Sequence, residues 1–505
     1  MKLSIIGAGS LGFTRRLVYD LLAVPEFRSA EVSLHDIDER NLDMIFRVLK
    51  RDIDAAGFAV KLTADPDRRL SLTRANYIVC CARVGGLEAF EQDVEIPLSY
   101  GVDQCVGDTL GPGGLMYAQR TIPVLLEICR DIREVASPGA LLLNYANPNA
   151  MNTWACNLYG GVPTVGLCHG VQNGAKLIAK ALGVPVEKLD YVCAGINHQT
   201  WYIRLRVDGR EITSEELLAA MRADPEIAEH EKIRLDMLER FGYFTTESNG
   251  HSSEYVPWYR KRPGEIAEWI SMDSWIHGET AGYLRVCREN RDYFEYEYPR
   301  ILSEPPHDFS TPRSIEHCSY IIEGLETGRA YRGCFNVINR NYITNLPEGC
   351  VVELPAVADR KGIRPETVGR LPLACAATCS ASVRVQEMGM EAAVRGDVLL
   401  LKQAMLHDPL TGAVLNPPEI WQMADEMLLA QRKWLPQYAD VMGAVRGRLK
   451  KRIVSRALRS PGLRRDVKSV AEIEASRRRE AASRQASGRK LDYDPDREVS
   501  VGCRG

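Results

Sequence analysis

Three things are scarce in this chain of 505 residues. No uninterrupted apolar run approaches the roughly 20 residues that a bilayer span requires, which leaves no candidate for a transmembrane helix. Charge of one sign is nearly balanced by the other: a formal net charge of -3 gives no overall pull towards nucleic acid or a membrane surface. Internal repeats are also lacking. Fourteen cysteines are present, but they are scattered, include an adjacent pair at Cys80-Cys81 inside an apolar run, and show no disulfide-framework spacing. Most of them read as reduced core residues. Met1-Lys2-Leu3 leads straight into a strand rather than a signal peptide, so the expectation is a cytoplasmic protein. What is left is an ordinary globular composition. The length favours two domains, because a single core stops growing near roughly 250 to 300 residues.

The first forty residues carry the clearest pattern. An apolar strand, Lys2 to Ile6, is followed at once by Gly7-Ala-Gly9-Ser10-Leu-Gly12 and a helical run from Phe13 to Leu22. A Gly-x-Gly-x-x-Gly turn between strand and helix can hold a pyrophosphate on backbone N–H groups and the helix N-terminus. A second strand, Glu31 to His35, ends in Asp36-Ile-Asp38, where a carboxylate can accept from ribose hydroxyls and repel a 2′-phosphate. The pattern therefore favours NAD over NADP, with Gly7, Gly9, Ser10, Gly12 and Asp36 as the binding residues.

Strands and helices then alternate as in a parallel, doubly wound sheet, and candidate functional residues follow the strands. Asn76 to Ala82 ends at Arg83; Ala140 to Asn144 ends in Tyr145-Ala-Asn147-Pro148; the run ending at Val165-Gly-Leu leads to Cys168-His169; and Gly195-Ile leads to Asn197-His198. Ligands in such folds sit beyond the carboxyl ends of the strands. Cys168 and His198 offer a thiolate and an imidazole to a divalent transition metal, although the spacing is no zinc-finger spacing. Asn147 has a donor and an acceptor on one short side chain, and is equally a plain turn before proline. The stretch Gly107-Asp108-Thr109-Leu-Gly111-Pro-Gly113-Gly114 is too glycine-rich for a regular element and reads as a functional loop or a hinge.

Three regions emerge: a Rossmann-type domain over 1–200, a second mixed α/β domain over 201–443, and a basic tail over 444–505. The second contains Thr246-Glu247-Ser-Asn-Gly-His251-Ser-Ser-Glu254-Tyr255-Val-Pro-Trp258, dense in groups that move protons or stack on sugar rings. The tail, with Arg446-Gly-Arg448, Arg464-Arg465 and Arg477-Arg-Arg, has few apolar anchors and is expected to be a solvated helix or disordered.

Taken together, Gly7-Ala-Gly9-Ser10, Asp108-Thr-Leu-Gly-Pro-Gly-Gly114, Asn144-Tyr-Ala-Asn147-Pro148, Cys168-His169-Gly-Val-Gln172 and Cys193-Ala-Gly195-Ile-Asn197-His198 resemble glycoside hydrolase family four, from residue 1 to about residue 440. These are glycosidases that need NAD and manganese, outside the usual two-carboxylate scheme. The melibiase-type α-galactosidases are the most similar subgroup, through Met151-Asn-Thr-Trp-Ala155, Glu247, Glu254-Tyr255-Val-Pro-Trp258 and His407-Asp-Pro-Leu.

The resemblance implies an architecture like lactate or malate dehydrogenase and a redox–elimination reaction. Hydride leaves the sugar C3 for NAD, a base removes the acidified proton at C2, the group at C1 is expelled, water adds, and hydride returns. It makes Cys168 and His198 the manganese ligands and Asn147 a substrate contact, with Arg83 and Asp108 beside it. His169 stands where the phospho-α-glucosidase branch has an aspartate proposed as general acid. Tyr255 lies where some branches keep the C2 base, with His251 and Glu254 as competitors. Gly170 departs from the serine expected in the melibiase-type motif, which keeps α-glucosides and α-galacturonides open as substrates. The family's habit implies a homodimer or homotetramer. Two other readings stand beside this one: an NAD-dependent hydroxy-acid dehydrogenase, which leaves Cys168 without a role, and a silent sugar or NAD sensor whose basic tail meets nucleic acid.

Overall fold

A computed structural model describes residues 1–451, 455 and 459–487, with side chains to 479. Thirteen strands form one sheet among the described residues. They are β1 (Lys2–Ile6), β2 (Glu31–His35), β3 (Lys61–Ala64), β4 (Tyr77–Cys80), β5 (Leu141–Asn144), β6 (Thr164–Gly166), β7 (Leu189–Ile196), β8 (Gln199–Val207), β9 (Arg210–Glu211), β10 (Phe244–Thr245), β11 (Tyr331–Ile338), β12 (Val351–Asp359) and β13 (Gly362–Pro365). One half is parallel in the order β3-β2-β1-β4-β5-β6, the Rossmann order expected from the sequence. These strands are short and, apart from the edge strand β3, mostly buried; Leu3, Ile5, Val32, Leu34, Ile78 and Val79 are almost fully enclosed between the helical layers.

The other half is antiparallel and continues the same sheet rather than forming a separate layer. β11 pairs with β6 at Asn336 and Gly166, and β12, β7, β8 and β10 follow outward. The expected change of domain after residue 200 falls inside β8, which is paired to β7 along a hairpin. Its turn is Asn197-His198, so the hairpin delivers His198 to the carboxyl end of the parallel half.

Two expectations need correction. The glycine-rich stretch is not loop throughout: a helix runs from Gly111 to Val135. Its glycines are there for space, since a Cβ on Gly113 would lie 2.4 Å from the Gly107 carbonyl oxygen. The second concerns the tail. Residues 459–469 lie against the rest of the protein, and a helix follows at Val470–Ser487. Ser460, Leu463 and Arg465 bond to Asp103, Thr280 and Glu279, so this part of the tail is held by polar contacts where apolar anchors are few. Residues 488–505 lie outside the described residues.

No helix among the described residues is long and apolar enough to cross a membrane. Cys80, Cys81, Cys129 and Cys156 are free thiols in the core, as the sequence suggested.

Candidate active site

At the carboxyl end of β1 the chain turns so tightly that Gly7 adopts φ +81°, and a Cβ there would lie 2.6 Å from the Ala82 nitrogen. Only glycine fits. Asp36, at the end of β2, accepts from Gly9 N at 2.7 Å and Asp38 N at 2.9 Å, so its carboxylate is fixed beside the turn. Ser10 Oγ accepts from Phe13 N at the start of the helix Phe13–Leu22. A turn of this shape next to an acceptor carboxylate fits a dinucleotide with free ribose hydroxyls.

Further along the same edge the strand ends converge. β6 continues its pairing with β5 through Leu167 N and Asn144 O, which sets Cys168 just past the sheet. Asn149 Nδ2 donates to the Asn144 and Leu167 carbonyls and ties the two strand ends together. On the other side, Thr246 N donates to Thr200 O, extending the β8–β10 pairing up to Glu247. Glu247 therefore sits beside the His198 turn. Both residues are held at positive φ, 62° for His198 and 66° for Glu247, a conformation that costs a side chain about 1 to 3 kcal/mol and gathers at functional sites.

The outcome is a donor cluster. The Cys168 sulfur, a His198 ring nitrogen and a Glu247 oxygen lie within 4.8 Å of one another. Cys168 Sγ is 3.5 Å from Glu247 Oε1, and His198 Nε2 is 3.8 Å from the same oxygen. The His198 tautomer follows from its other side. Thr109 Oγ1 gives its one proton to Asp108 at 2.9 Å, so at 3.0 Å it accepts from His198 Nδ1–H, and Nε2 keeps its lone pair for the cluster. Burial works against the Glu247 charge, but the positive charge that His198, His251 and His169 carry when protonated outweighs it and brings its pKa down to about 2. Burial, with Glu247 and Glu353 nearby, holds the Cys168 thiol well above its usual range. A sulfur, an imidazole lone pair and a carboxylate brought together at this spacing are a donor set suited to a divalent transition metal.

Around the cluster Asp108 collects the other candidates. Its Oδ2 accepts from Asn147 Nδ2 at 3.0 Å and faces Arg83 Nη2 at 3.4 Å. The Arg83 guanidinium lies over the rings of Phe90 and Tyr117 and reaches Tyr283 OH at 3.3 Å, while its Nε and Nη1 are buried without a partner. Tyr255, 1 % exposed, places its hydroxyl 3.4 Å from His198 Nδ1. Burial, then the Glu254 and Asp108 carboxylates, push its pKa well above the ordinary tyrosine value. Glu254 itself is committed elsewhere: its carboxylate accepts from the backbone N–H groups of Cys105, Val106 and Gly107. His251 is buried, which drives its pKa down to about 4, and its Nδ1 is 2.7 Å from Ser248 Oγ.

Cys168, His198, Asn147, Asp108, Arg83 and Tyr255 thus form one connected group. His169 joins it from the far side of Cys168, with Nδ1 at 3.1 Å from the buried Glu316 carboxylate. Sequence reasoning missed Glu247 as the third donor of the cluster, Thr109 as the partner of His198, and Glu316. It had marked the segment around Glu247 as chemically dense, but nothing in the local pattern separates Glu247 from its neighbours. Glu316 stands in an irregular stretch before the helix His317–Thr327 and carries no signal.

Comparison with known proteins decides the lineage. The family 4 glycosyl hydrolase model matches residues 2–184, and the model of that family's C-terminal domain matches residues 193–411. The chain belongs to the family 4 glycosyl hydrolases. Within the family it is 55% identical over 488 residues to an α-galactosidase of Rhizobium meliloti (strain 1021), covering 96% of this chain and 99% of that protein. An α-galactosidase of Bacillus subtilis (strain 168) is 36% identical over 441 residues, covering 86% and 99%. Among solved structures, the putative glucosidase lplD from Bacillus subtilis superposes with a TM-score of 0.73 at 26% identity, covering 85% of this chain and 99% of that one. The fold is also that of a Thermotoga maritima 6-phospho-β-glucosidase solved with manganese, NAD+ and glucose-6-phosphate, with a TM-score of 0.70 at 22% identity, covering 86% and 99%. Residues beyond 411, the docked tail among them, lie outside the family models.

Proposed function

We propose that this family 4 hydrolase cleaves α-galactosides by the redox–elimination route, with NAD in the glycine turn beside Asp36 and manganese on Cys168, His198 and Glu247. The observation that carries the reading is the Cys168–His198–Glu247 cluster built directly against Tyr255 and Asn147 at the strand ends, in a chain whose 55% identical relative is an α-galactosidase. When bound, NAD supplies a hydride acceptor for the sugar C3, and the cation supplies Lewis acidity at the oxygens on C2 and C3.

The protein's own part is orientation and proton transfer. Asn147 and Arg83, both anchored on Asp108, orient the sugar hydroxyls. Tyr255 removes the proton at C2. Its phenol is a poor base in a buried, acidic setting, and a cation beside it opposes both burial and the neighbouring carboxylates, which makes its basicity conditional on a filled metal site. Glu254 is excluded from that role by its three backbone bonds, and the low pKa of His251 leaves it a weak base. His169, with Nδ1 held by Glu316, delivers a proton to the departing oxygen. After water adds, the same two groups act in reverse. A thiol that must stay reduced to work suits the cytoplasm.

The test is release of nitrophenol from p-nitrophenyl α-galactoside under reducing conditions, with NAD and manganese each supplied and withheld. Turnover only with both, and without accumulation of NADH, is the expected result. Silence on the galactoside with turnover of an α-glucoside or α-galacturonide moves the sugar and keeps the mechanism. NADH accumulating from a simple hydroxy acid overturns the proposal.

A further inference from the structure

The docked tail is the largest feature that the reaction does not absorb. Its contacts fall on two carboxylates that are fully enclosed, Asp103 and Glu279, each 0 % exposed. Asp103 opens the loop that leads to Asp108 and Thr109. Its Oδ1 accepts from Arg260 Nη2 at 2.6 Å, and its Oδ2 accepts from Thr280 Oγ1 at 2.9 Å and from Ser460 Oγ at 2.7 Å. Glu279 accepts from Arg285 Nε at 2.8 Å and from Arg465, through its backbone N at 3.0 Å and Nη2 at 2.7 Å. Between these points Leu463 and Thr280 exchange two bonds: Leu463 N donates to Thr280 Oγ1 at 2.9 Å, and Thr280 N donates to Leu463 O at 2.8 Å. Arg464 adds a two-pronged pair with Glu95, and Arg477 lies over the Tyr293 ring.

What the tail holds is continuous in sequence with the wall of the site. Ala281 N and Tyr283 N donate to the Gln104 and Cys105 carbonyls, so the turn at 279–283 and the loop at 103–109 are tied into one piece. That piece carries Tyr283, which meets Arg83, and Asp108 and Thr109, which meet Asn147 and His198. Arg260 extends it to the helix Asn249–Glu254 by donating from Nη1 to Ser253 Oγ at 2.9 Å. The residue after that helix is Tyr255. Carboxylates buried this deeply need every partner, because a lost hydrogen bond leaves a charge without compensation.

We propose that residues 459–479 are a positioning strap for the sugar site, in which Ser460 on Asp103 and Arg465 on Glu279 fix the piece that carries Asp108, Thr109 and Tyr283. The strap contributes no group to the chemistry. It rests on the reading that this wall binds the sugar, and it acts on the wall's geometry, where a displacement of about 1 Å is enough to lower turnover a hundredfold.

The full-length chain tests it, as Ser460→Ala combined with Arg465→Gln, beside Ser460→Thr, which keeps the hydroxyl. Amide hydrogen exchange is followed at 103–109 and 279–283 together with kcat and KM on p-nitrophenyl α-galactoside and the Kd for NAD. The expected result is faster exchange in those two segments and a kcat about ten- to a hundredfold lower. NAD affinity should stay within about twofold, and Ser460→Thr should keep the slow exchange of the unaltered chain. Unchanged exchange at 103–109 in the double variant overturns the strap. So does exchange that rises evenly through the parallel sheet with loss of NAD binding, since that would make the tail a support of the whole fold. If the unaltered chain proves silent on galactosides, the exchange data still decide the strap while the assigned activity fails by itself.

Discussion

Gly170 and Glu247 share one space: a methyl group on Gly170 would lie 1.7 Å from Glu247 Oε1. The missing side chain at position 170 therefore leaves room for the Glu247 carboxylate as it lies beside the Cys168–His198 pair. Gly170→Ala should displace Glu247 and weaken manganese binding about ten- to a hundredfold, measured by titration calorimetry with NAD affinity as the control. Alanine favours the helix Gly170–Leu182 over glycine by roughly 1 kcal/mol, so a loss of metal affinity would not reflect a weaker helix. Gly170→Ala combined with Glu247→Ala removes the collision and should recover melting temperature but not metal affinity. Unaltered manganese affinity in Gly170→Ala would sink the third-ligand assignment.

Tyr255→Phe removes the phenol hydroxyl and leaves all three metal donors in place. The kcat should fall about a hundred- to ten-thousandfold with manganese and NAD affinities unchanged. A substrate deuterated at C2 separates this from a packing defect. The isotope effect should grow in the variant if proton removal at C2 becomes fully rate-limiting, and an activity loss shared by His251→Ala but not by Tyr255→Phe would move the base to His251.

How much of this could be read from the sequence depended on distance along the chain. The turn at Gly7 and the carboxylate at Asp36 are local, and their strand–turn–helix setting is written in neighbouring residues. Cys168, His198, Asn147 and Arg83 were found because each follows an apolar run, a property of position rather than of partner. Their partners were not legible. Glu247 lies 79 residues from Cys168, Glu316 lies 147 from His169, and Glu353 lies 156 from Asn197; the antiparallel extension of the sheet brings the first and third together, and the stretch before the helix His317–Thr327 brings in Glu316. The tail misled for a related reason: its few apolar residues suggested no docking, whereas Ser460 and Arg465 are matched to buried carboxylates at 103 and 279 that the local sequence does not announce as buried.

His169 faces Glu316 across 3.1 Å, and its role depends on how good the leaving group is. An alkyl or sugar aglycone needs a proton as the bond at C1 breaks, while nitrophenolate hardly does. His169→Ala should therefore slow a methyl α-galactoside about a hundred- to ten-thousandfold and slow the p-nitrophenyl substrate much less. Glu316→Gln, which keeps a hydrogen-bond partner but not the charge, should show the same ordering in weaker form. Equal losses on both substrates would argue that His169 supports the Cys168 loop instead of donating a proton.

Glu353 gives the sharpest expectation for pH. It lies under the active site at β12, 2 % exposed, where both Asn197 Nδ2 and Asn336 Nδ2 donate to its Oε2. Burial is the main cause that lifts its pKa from 4.5 to about 8, against the two amides that favour the charge. The folded protein thus keeps a proton that the unfolded chain releases. Its contribution to stability is fully present below the unfolded value and is lost as pH rises through about 8. Between those limits the group alone should lower unfolding free energy by about 1 kcal/mol per pH unit. Glu353→Gln, neutral at every pH, should flatten that slope in denaturant titrations from pH 5 to 8 while leaving stability at pH 5 nearly unchanged. Glu353→Ala leaves two buried amides unpaired and should cost about 2 to 4 kcal/mol at pH 5, the difference from the unaltered protein shrinking as pH rises towards 8. An unaltered slope in Glu353→Gln would mean that the carboxylate is ionised in the folded state, with the amides outweighing its burial.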